Sequence, residues 1–209
     1  MNQFIFYLNW PNLVSFSGAI FALSALLLAI RGHVSFAMIG LILAGLCDLF
    51  DGLVARRYPP EEDEALIGGQ LDSLNDVLCF GVLPIVIVDA MLKSVWVFPV
   101  YAVYMLCVLL RLAYFNTFGT AESEEGQAYY TGLPVTYAAM VLPLLGILPA
   151  LWPILTWPVM LTALLALSGL YIYKQLIPKP YGRAYLAFPA LAGLATIFWL
   201  LKPWIVVFE

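Results

Sequence analysis

The sequence predicts an all-α fold: a polytopic membrane helix bundle of about seven transmembrane helices, forming a single domain over residues 1–209. Of the 209 residues, 64% are hydrophobic and only 11% are charged, a composition outside the range of soluble domains. Apolar runs of roughly 20 residues, the length that crosses about 30 Å of hydrocarbon, recur from end to end and leave no room for a soluble domain. We therefore expect an integral membrane protein.

Seven hydrophobic segments make up this fold. The first is expected to remain in the chain, because the N-terminus has no basic n-region and no small-residue cleavage site. The second ends near Arg57, and the third begins near Ile67 after an acidic loop. Pro153, Pro158 and Pro178 interrupt the later region, where membrane helices tolerate proline and the segment ends are harder to place. Tryptophans lie near the proposed ends, where aromatic belts form. In chain order the segments cover residues 12–30, 34–57, 67–91, 94–116, 132–150, 155–173 and 184–206.

Lysine and arginine residues are unequally divided between the two ends of these segments. One end carries Arg31, Lys93 and Lys202. The other end carries Arg56, Arg57, Lys174, Lys179 and Arg183. Short loops rich in Lys and Arg stay on the cytoplasmic side. The second end is therefore predicted to be cytoplasmic, with the N-terminus inside.

Two pairs of aspartates lie within the second and third segments. Asp48 and Asp51 are three residues apart, and Asp72 and Asp76 are four apart. Each spacing puts both carboxylates on one face of a helix, so two neighbouring helices can direct four oxygen-rich groups to one point. An ionised group at bilayer depth costs about 2.5–3.5 kcal/mol, which cations or other partners must offset. The pattern predicts a metal site.

The aspartates and one arginine are predicted to share a cavity that opens to the cytoplasm. At a rise of 1.5 Å per residue, both members of each pair lie roughly 8–14 Å from the cytoplasmic end of their segment. Arg111 lies roughly 8 Å from the same end of the fourth segment. A cation at that depth needs a polar cavity or a partner. Alternatives for Arg111 are a salt bridge to an aspartate and an anchor on lipid phosphate.

Small and basic residues on the faces of the aspartates suit a phosphate ligand. Gly52 and Ala55 share the face of Asp48, and Gly68 lies one turn before Asp72; they leave room for a bulky group near the backbone. The planar guanidinium of Arg56 suits a phosphate. Mg²⁺ is commonly held by carboxylates together with substrate phosphates, and two such ions can brace a phosphoryl centre. Alternatively, the small residues serve helix packing and Arg56 is a cytoplasmic anchor.

These positions resemble the signature of the CDP-alcohol phosphotransferase family, membrane enzymes that pass a phosphatidyl or phosphoalcohol group from a CDP-linked donor to an alcohol and release CMP. The matching pattern is Asp48-x-x-Asp51-Gly52-x-x-Ala55-Arg56 followed by Gly68-x-x-x-Asp72-x-x-x-Asp76. Eleven residues separate Arg56 from Gly68, where the family usually has about eight. We expect the surplus to lengthen the cytoplasmic turn without moving the helix faces.

Further stretches look like the phosphatidylserine synthase branch of that family. They are Leu71-Asp72-Ser73-Leu74-x-Asp76-Val77, Phe80-Gly81-Val82-x-Pro84, Arg111-Leu112-Ala113-x-Phe115-Asn116, Gly132-Leu133-Pro134 and Ile177-Pro178-Lys179-Pro180. Gln70 stands where that branch often has Glu, and Tyr114 where it often has Arg. These two departures bear on the acceptor more than on the reaction class.

The resemblance implies a role for each matching residue. Asp48, Asp51 and Asp72 would hold two divalent ions, Mg²⁺ or Mn²⁺, and Asp76 would both contact metal and take the proton of the attacking hydroxyl. CDP and its diphosphate would be bound by Asp48, Gly52, Ala55, Arg56, Gly68 and Asp72. Arg111 and Asn116 are candidates for binding the acceptor. A serine hydroxyl needs such a positioned base to become a good nucleophile.

The resemblance also implies the substrates and partners. CDP-diacylglycerol would be the donor and L-serine the acceptor, in a homodimer in the lipid bilayer of the cell membrane. The distribution of Lys and Arg residues predicts that the active site faces the cytoplasm. The acidic runs at residues 61–64 and 122–125, in a chain of net charge −4, argue against nucleic acid as a partner.

Three other functions share some of these features. The nearest is the same chemistry with inositol phosphate, glycerol phosphate or another alcohol as acceptor. A cation transporter also uses intramembrane carboxylates, but these cluster at one depth and no inverted repeat is visible. Intramembrane prenyltransferases bind diphosphates through Mg²⁺, but they lack the Asp-Gly-x-x-Ala-Arg run.

Overall fold

The computed structural model describes residues 9–59, 62–119, 121–122, 128–178 and 184–202. It confirms the predicted polytopic helix bundle. The helices are α1 (Trp10–Ile30), α2 (Val34–Arg57), α3 (Glu62–Asp76), α4 (Leu83–Leu92), α5 (Phe98–Phe118), α6 (Ala138–Leu145), α7 (Ile147–Leu151), α8 (Thr156–Ile172) and α9 (Ala184–Leu201). Several features used in the sequence analysis lie outside the described residues: Glu61, Lys179, Pro180, Arg183, residues 123–125 and the end of the seventh segment.

The predicted segments correspond to five full-length spans and two shorter ones. Five helical stretches are long and apolar enough to cross a membrane. They are Trp10–Ile30, Val34–Arg57, Asp63–Leu92, Val95–Phe118 and Pro153–Ile172. Val135–Leu151 and Ala187–Leu201 are the shorter apolar stretches among the described residues. With this many spans the chain is an integral membrane protein.

Helix α2 lies at the centre of the bundle, where it packs against α1, α4, α6 and α9. Two glycines allow its closest contacts. A Cβ atom at Gly40 would lie 2.5 Å from Cβ of Ala25 in α1, and one at Gly45 would lie 2.5 Å from Cβ of Ala139 in α6. Small residues permit such close packing in membranes, where dispersion contacts hold helices together. The position of α2, and of the aspartates it carries, is thus fixed from two sides.

Helix α3 begins at Glu62, five residues before the predicted start at Ile67. The expectation that the whole acidic stretch forms a loop was therefore wrong. Carboxylates are stabilising in the first turn of a helix, because they lie near the positive end of its dipole. The additional residues between Arg56 and Gly68, relative to the family pattern, therefore extend α3 at its start as well as lengthening the connection.

A π-helical turn at Val77–Val82 joins α3 to α4 directly after Asp76. Pro84 explains it, because proline has no N–H to donate to the carbonyl of Phe80 four residues earlier. The N–H of Leu83 instead donates to the carbonyl of Leu78, five residues back. The carbonyl of Phe80 accepts a 2.7 Å hydrogen bond from the buried Tyr104 hydroxyl of α5. The helix therefore continues past the proline with its freed carbonyl satisfied.

The fifth predicted segment is not one continuous helix. It divides into α6 and α7 at Gly146, three residues after Pro143. The indole N–H of Trp199 in α9 donates a 3.0 Å hydrogen bond to the carbonyl of Pro143. A buried side chain thus satisfies a backbone group near the break, as an apolar environment requires.

A small antiparallel sheet, which the sequence analysis did not predict, connects the ends of the later helices. Its strands are β1 (Ala121–Glu122), β2 (Ala128–Thr131) and β3 (Leu176–Pro178), in the order β1-β2-β3. It follows α5 and α8 at the same side of the bundle as the α2–α3 turn. The N–H of Gly132, in a left-handed conformation at φ +87°, donates to the carbonyl of Gln175 and continues this pairing.

The Tyr104 hydrogen bond predicts a measurable stability difference. Tyr104→Phe leaves the Phe80 carbonyl buried without its donor, which costs about 1–3 kcal/mol. Tyr114→Phe removes the same atom from a half-buried ring of the same helix and should change the free energy of unfolding by less than about 0.5 kcal/mol. Equilibrium unfolding in mixed micelles measures both. Equal effects of the two substitutions would contradict this account of the π turn.

Candidate metal and phosphate site

Three of the four predicted aspartates come together where α2 meets α3. Asp48, Asp72 and Asp76 each offer a carboxylate oxygen, and the three oxygens lie within 4.8 Å of one another. Asp48 and Asp72 are partly buried and Asp76 is buried. Among the described residues, nothing donates a hydrogen bond to Oδ1 of Asp76. We call these residues the aspartate cluster.

The aspartate cluster fits a divalent cation. Two unit negative charges 4.8 Å apart repel by about 3 kcal/mol at an effective dielectric constant of about 20. A buried carboxylate oxygen without a hydrogen-bond donor is costly as well. One cation between the three groups would remove both costs, and carboxylate oxygens are the ligands that hard cations take.

Asp51 neighbours the aspartate cluster but is not one of the three residues whose oxygens lie within 4.8 Å of one another. It is 9% exposed, and its Oδ2 accepts a 2.7 Å hydrogen bond from the Ser15 hydroxyl of α1. The three-residue spacing from Asp48 corresponds to about 300° of rotation around the helix, so the two side chains leave α2 about 60° apart. The structure therefore places Asp51 towards α1 and Asp48 towards α3.

An elongated cleft of about 200 Å³ runs from Asp48 along α2, between α6 and α9. Gly52 and Arg56, one and two turns after Asp48, line its polar end. A Cβ atom at Gly52 would meet nothing within 4 Å, so this position leaves the cleft open. The rest of the cleft is mainly apolar. Its apolar lining includes Ile42, Leu46, Leu49, Met140, Leu144, Phe188 and Leu191.

The other two predicted small residues lie elsewhere. Ala55 is partly buried and does not line this cleft. A Cβ atom at Gly68 would lie 3.2 Å from Oδ1 of Asn12 in α1. In the structure Gly68 therefore allows α1 and α3 to approach each other.

Arg111 is buried in α5 and is held by backbone carbonyls. Its Nε donates to the carbonyl of Leu133 at 2.9 Å and its Nη2 to that of Gly132 at 3.3 Å. Its guanidinium carbon lies 5.6 Å from the ring centroid of Phe115. The arginine borders a second cavity, of about 300 Å³, together with Lys174. Of the residues that the structure describes, two cationic ones and no acidic ones line this cavity. Arg111 does not line the cleft along α2, so the prediction that it shares one cavity with the aspartates was wrong.

Asn116 ties the end of α5 to α3. Its Nδ2 donates a 2.9 Å hydrogen bond to Oγ of Ser73, the neighbour of Asp72, and both side chains lie towards the surface. This contact shows how the end of α5 is held beside the aspartates.

The sequence analysis missed the contribution of α1. Asn12 and Ser15 are buried, and the Nδ2 of Asn75 in α3 donates to the carbonyl of Ser15 at 3.2 Å. The Asn9 side chain caps α1 by accepting from the N–H of Asn12. Polar residues at every third position from 9 to 15, at the start of an apolar run, were the signal that could have identified this face.

Comparison with known proteins identifies the family of the chain. A family model described as CDP-alcohol phosphatidyltransferase matches residues 8–207. An archaetidylserine synthase from Methanothermobacter thermautotrophicus is 34% identical over 141 residues, which are 65% of this chain and 57% of that protein. A CDP-diacylglycerol–serine O-phosphatidyltransferase from Mycobacterium bovis is 27% identical over 203 residues, 88% of this chain and 68% of that protein. A Saccharomyces cerevisiae protein of the same name is 38% identical over 108 residues, 48% of this chain and 38% of that protein. The chain therefore spans 38–68% of the length of these relatives.

The aspartate cluster predicts that a divalent cation stabilises the protein in the absence of substrate. At a Mn²⁺ concentration about 100 times the dissociation constant, the free energy of unfolding of the wild-type protein should rise by about 2.7 kcal/mol. Asp72→Asn removes one of the three carboxylates, so Mn²⁺ should raise its free energy of unfolding clearly less than that of the wild type. Asp89→Asn, at an exposed acid near the other end of the same helical stretch, is the control and should gain as much as wild type. Thermal unfolding in detergent with Mn²⁺ or EDTA measures this. An equal gain for Asp72→Asn would place the cation elsewhere.

Proposed function

This chain belongs to the CDP-alcohol phosphatidyltransferase family, and from that premise we propose that it transfers the phosphatidyl group of CDP-diacylglycerol to the hydroxyl of L-serine, giving phosphatidylserine and CMP. The observation that carries the proposal is the aspartate cluster at the end of a cleft that is polar near Asp48 and apolar beyond it. The names of the relatives support serine as the acceptor. The alternative within the same chemistry is another alcohol, such as inositol phosphate or glycerol phosphate.

The donor proposal rests on the two chemical ends of the cleft. Asp48, Gly52 and Arg56 border the end that suits the CDP group, where Gly52 leaves space beside the backbone. The apolar side chains of α6 and α9 that line the remainder suit acyl chains. Ala55, Gly68 and Asp72 remain proposed nucleotide-binding positions. A ligand with a charged diphosphate and long apolar chains matches both ends at once.

We propose that two divalent ions, Mg²⁺ or Mn²⁺, are bound by Asp48, Asp51, Asp72 and Asp76. When bound, such ions neutralise charge on the diphosphate and orient its phosphoryl group for in-line displacement. The chain's own contribution is to hold the four carboxylates on two helices that α1, α5 and α6 keep in place.

Asp76 is proposed to accept the proton of the serine hydroxyl. The serine oxygen forms the new bond to the phosphorus that carries diacylglycerol, the bond from that phosphorus to the CMP oxygen breaks, and the proton passes to the Asp76 carboxylate. Its Oδ1 accepts no hydrogen bond from any described residue, so an acceptor lone pair is available for this proton. Arg56 would stabilise the negative charge on the departing CMP phosphate.

Arg111 and Asn116 are proposed to bind the acceptor. A serine carboxylate needs a cationic partner, and the cavity bordered by Arg111 and Lys174 supplies two. The carbonyls of Gly132 and Leu133 hold the guanidinium in one orientation, so the arginine is pre-organised for a planar ligand. The contact of Asn116 with Ser73 places its amide beside the helix that carries Asp72 and Asp76.

We further propose that residues 1–209 form one domain in the cell membrane, as a homodimer whose active site faces the cytoplasm. The orientation rests on the greater number of Lys and Arg residues at the aspartate end, and the dimer on the family alone. If the orientation is right, maleimide should label Glu62→Cys only after cells are opened. It should label Lys93→Cys in intact cells. Cross-linking in mild detergent tests the dimer, and a fully active monomer would contradict it.

The proposed reaction predicts CMP release from CDP-diacylglycerol by the purified protein when serine and a divalent cation are present. Chelation or Asp48→Asn should abolish it, because the diphosphate then loses the charge that holds it. Ethanolamine, which lacks the carboxylate, should replace serine poorly. A CMP assay over a panel of acceptors measures this. Faster release with inositol phosphate or glycerol phosphate than with serine would favour the alternative acceptor.

Arg111→Lys is predicted to impair the use of serine more than that of the donor. A lysine ammonium cannot form the two parallel bonds of a guanidinium, and a lost charge-assisted hydrogen bond costs about 1.5–3 kcal/mol. The KM for serine should therefore rise roughly 10- to 150-fold, with the KM for CDP-diacylglycerol little changed. Arg57→Lys, an exposed exchange of the same kind at the end of α2, should leave both unchanged. A raised donor KM with normal serine dependence would assign Arg111 to the donor site.

A further inference from the structure

The hydroxyl of Ser15 joins α1 to the carboxylates of α2. Its Oγ lies 2.7 Å from Oδ2 of Asp51, and the two side chains are 6% and 9% exposed. A hydroxyl that donates to a carboxylate makes a charge-assisted hydrogen bond, roughly twice as strong as a neutral one. Because both groups are withdrawn from solvent, water does not compete for the carboxylate oxygen on this side.

The preference of this hydroxyl for the carboxylate is specific to its position. Serine within a helix usually donates to a carbonyl one turn earlier, as Ser17 does to Leu13 at 2.9 Å. Ser15 lies 3.3 Å from the corresponding carbonyl, that of Pro11. A hydroxyl has one proton, and the bond to Asp51 is shorter by 0.6 Å. Ser15 thus favours Asp51 over its own helix.

The backbone of the same residue contacts the third helix. The Nδ2 of Asn75 donates to the carbonyl of Ser15, and Asn75 precedes Asp76 in the chain. One residue of α1 therefore contacts α2 through its side chain and α3 through its main chain. The two helices that carry the four aspartates are held relative to each other at this point.

We infer that Ser15 is a positioning residue of the metal site: its hydrogen bond fixes one oxygen of Asp51, so that the other is held in place for a cation at the edge of the aspartate cluster. Partners of this kind orient a carboxylate ligand and restrict its rotamers before the cation binds. The inference rests on the proposed metal role of the aspartates and is independent of the acceptor.

The test is the affinity for Mn²⁺ alone, measured on the detergent-solubilised full chain by the electron paramagnetic resonance signal of free Mn²⁺. Ser15→Ala should weaken Mn²⁺ binding by about 10-fold, the lower end of the range for lost partners of metal ligands. Ser15→Thr keeps the hydroxyl and should bind within about threefold of wild type. Ser17→Ala makes the same chemical change two residues away, where the hydroxyl bonds within its helix, and should not change the affinity.

A double variant distinguishes action through Asp51 from a direct role of Ser15. In Asp51→Asn, the three carboxylates of the aspartate cluster remain and should keep Mn²⁺ binding measurable. Adding Ser15→Ala to that variant should then change the affinity by less than about twofold, because coupled residues are not additive. Thermal unfolding without metal should give a lower midpoint for Ser15→Ala than for Ser17→Ala, because Ser15→Ala alone removes the donor from a buried carboxylate oxygen.

Three results would overturn the inference: wild-type affinity in Ser15→Ala, an equal loss in Ser17→Ala, or a full additional loss when Ser15→Ala is added to Asp51→Asn. An absence of Mn²⁺ binding by wild-type protein would overturn it together with the metal assignment. Because no donor or acceptor is present in these titrations, an error in the choice of serine as acceptor would leave their outcome unchanged.

Discussion

Several carboxylates lie inside an apolar helix bundle, and their charge must be neutralised for the bundle to be stable. Asp48, Asp72 and Asp76 approach within 4.8 Å of one another, and mutual repulsion at this distance costs about 3 kcal/mol per pair. Such an arrangement persists only if neighbouring helices hold it and a cation or proton offsets the charge. The close contacts at Gly40 and Gly45, the polar face of α1 and the π turn after Asp76 all act on the two helices that carry these groups.

The polar and apolar requirements of the proposed reaction are met by different parts of the same cleft. The face of α2 contributes Asp48, Gly52 and Arg56, while α6 and α9 contribute apolar walls. A diphosphate and acyl chains belong to one donor molecule, so a cleft that changes character along its length can bind both at once. Arg111 and Lys174 lie at a separate cavity, which in the proposed reaction would bind the carboxylate of serine.

Local sequence patterns predicted most of the fold, and tertiary contacts account for the remainder. The limits of α1 and α2 agree with the apolar runs within about two residues, because segment length is set by the membrane. The early start of α3 was missed because acidic residues were assigned to a loop, although they suit a helix N-terminus. The π turn arises at Pro84, which leaves the carbonyl of Phe80 to the Tyr104 hydroxyl. The division at Gly146 follows Pro143, whose carbonyl accepts from the Trp199 indole. No local pattern reveals either partner.

Spacing along helices predicted the aspartate cluster, but the partner of Asp51 could not be obtained that way. The four-residue spacing of Asp72 and Asp76 places both side chains on the same face of the helix. Ser15 lies 36 residues from Asp51, and serine in an apolar helix usually bonds to its own backbone. Only the packing of α1 on α2 shows that this hydroxyl reaches a carboxylate.

The most direct test of the central claim is the position of the metal in a crystal structure of the Mn²⁺-loaded protein, measured by anomalous scattering. We expect an anomalous peak between Asp48, Asp72 and Asp76, about 2.0–2.2 Å from their carboxylate oxygens, close to the distance for a hard divalent cation. A peak at other acidic residues with none between these three, at a saturating Mn²⁺ concentration, would contradict the account.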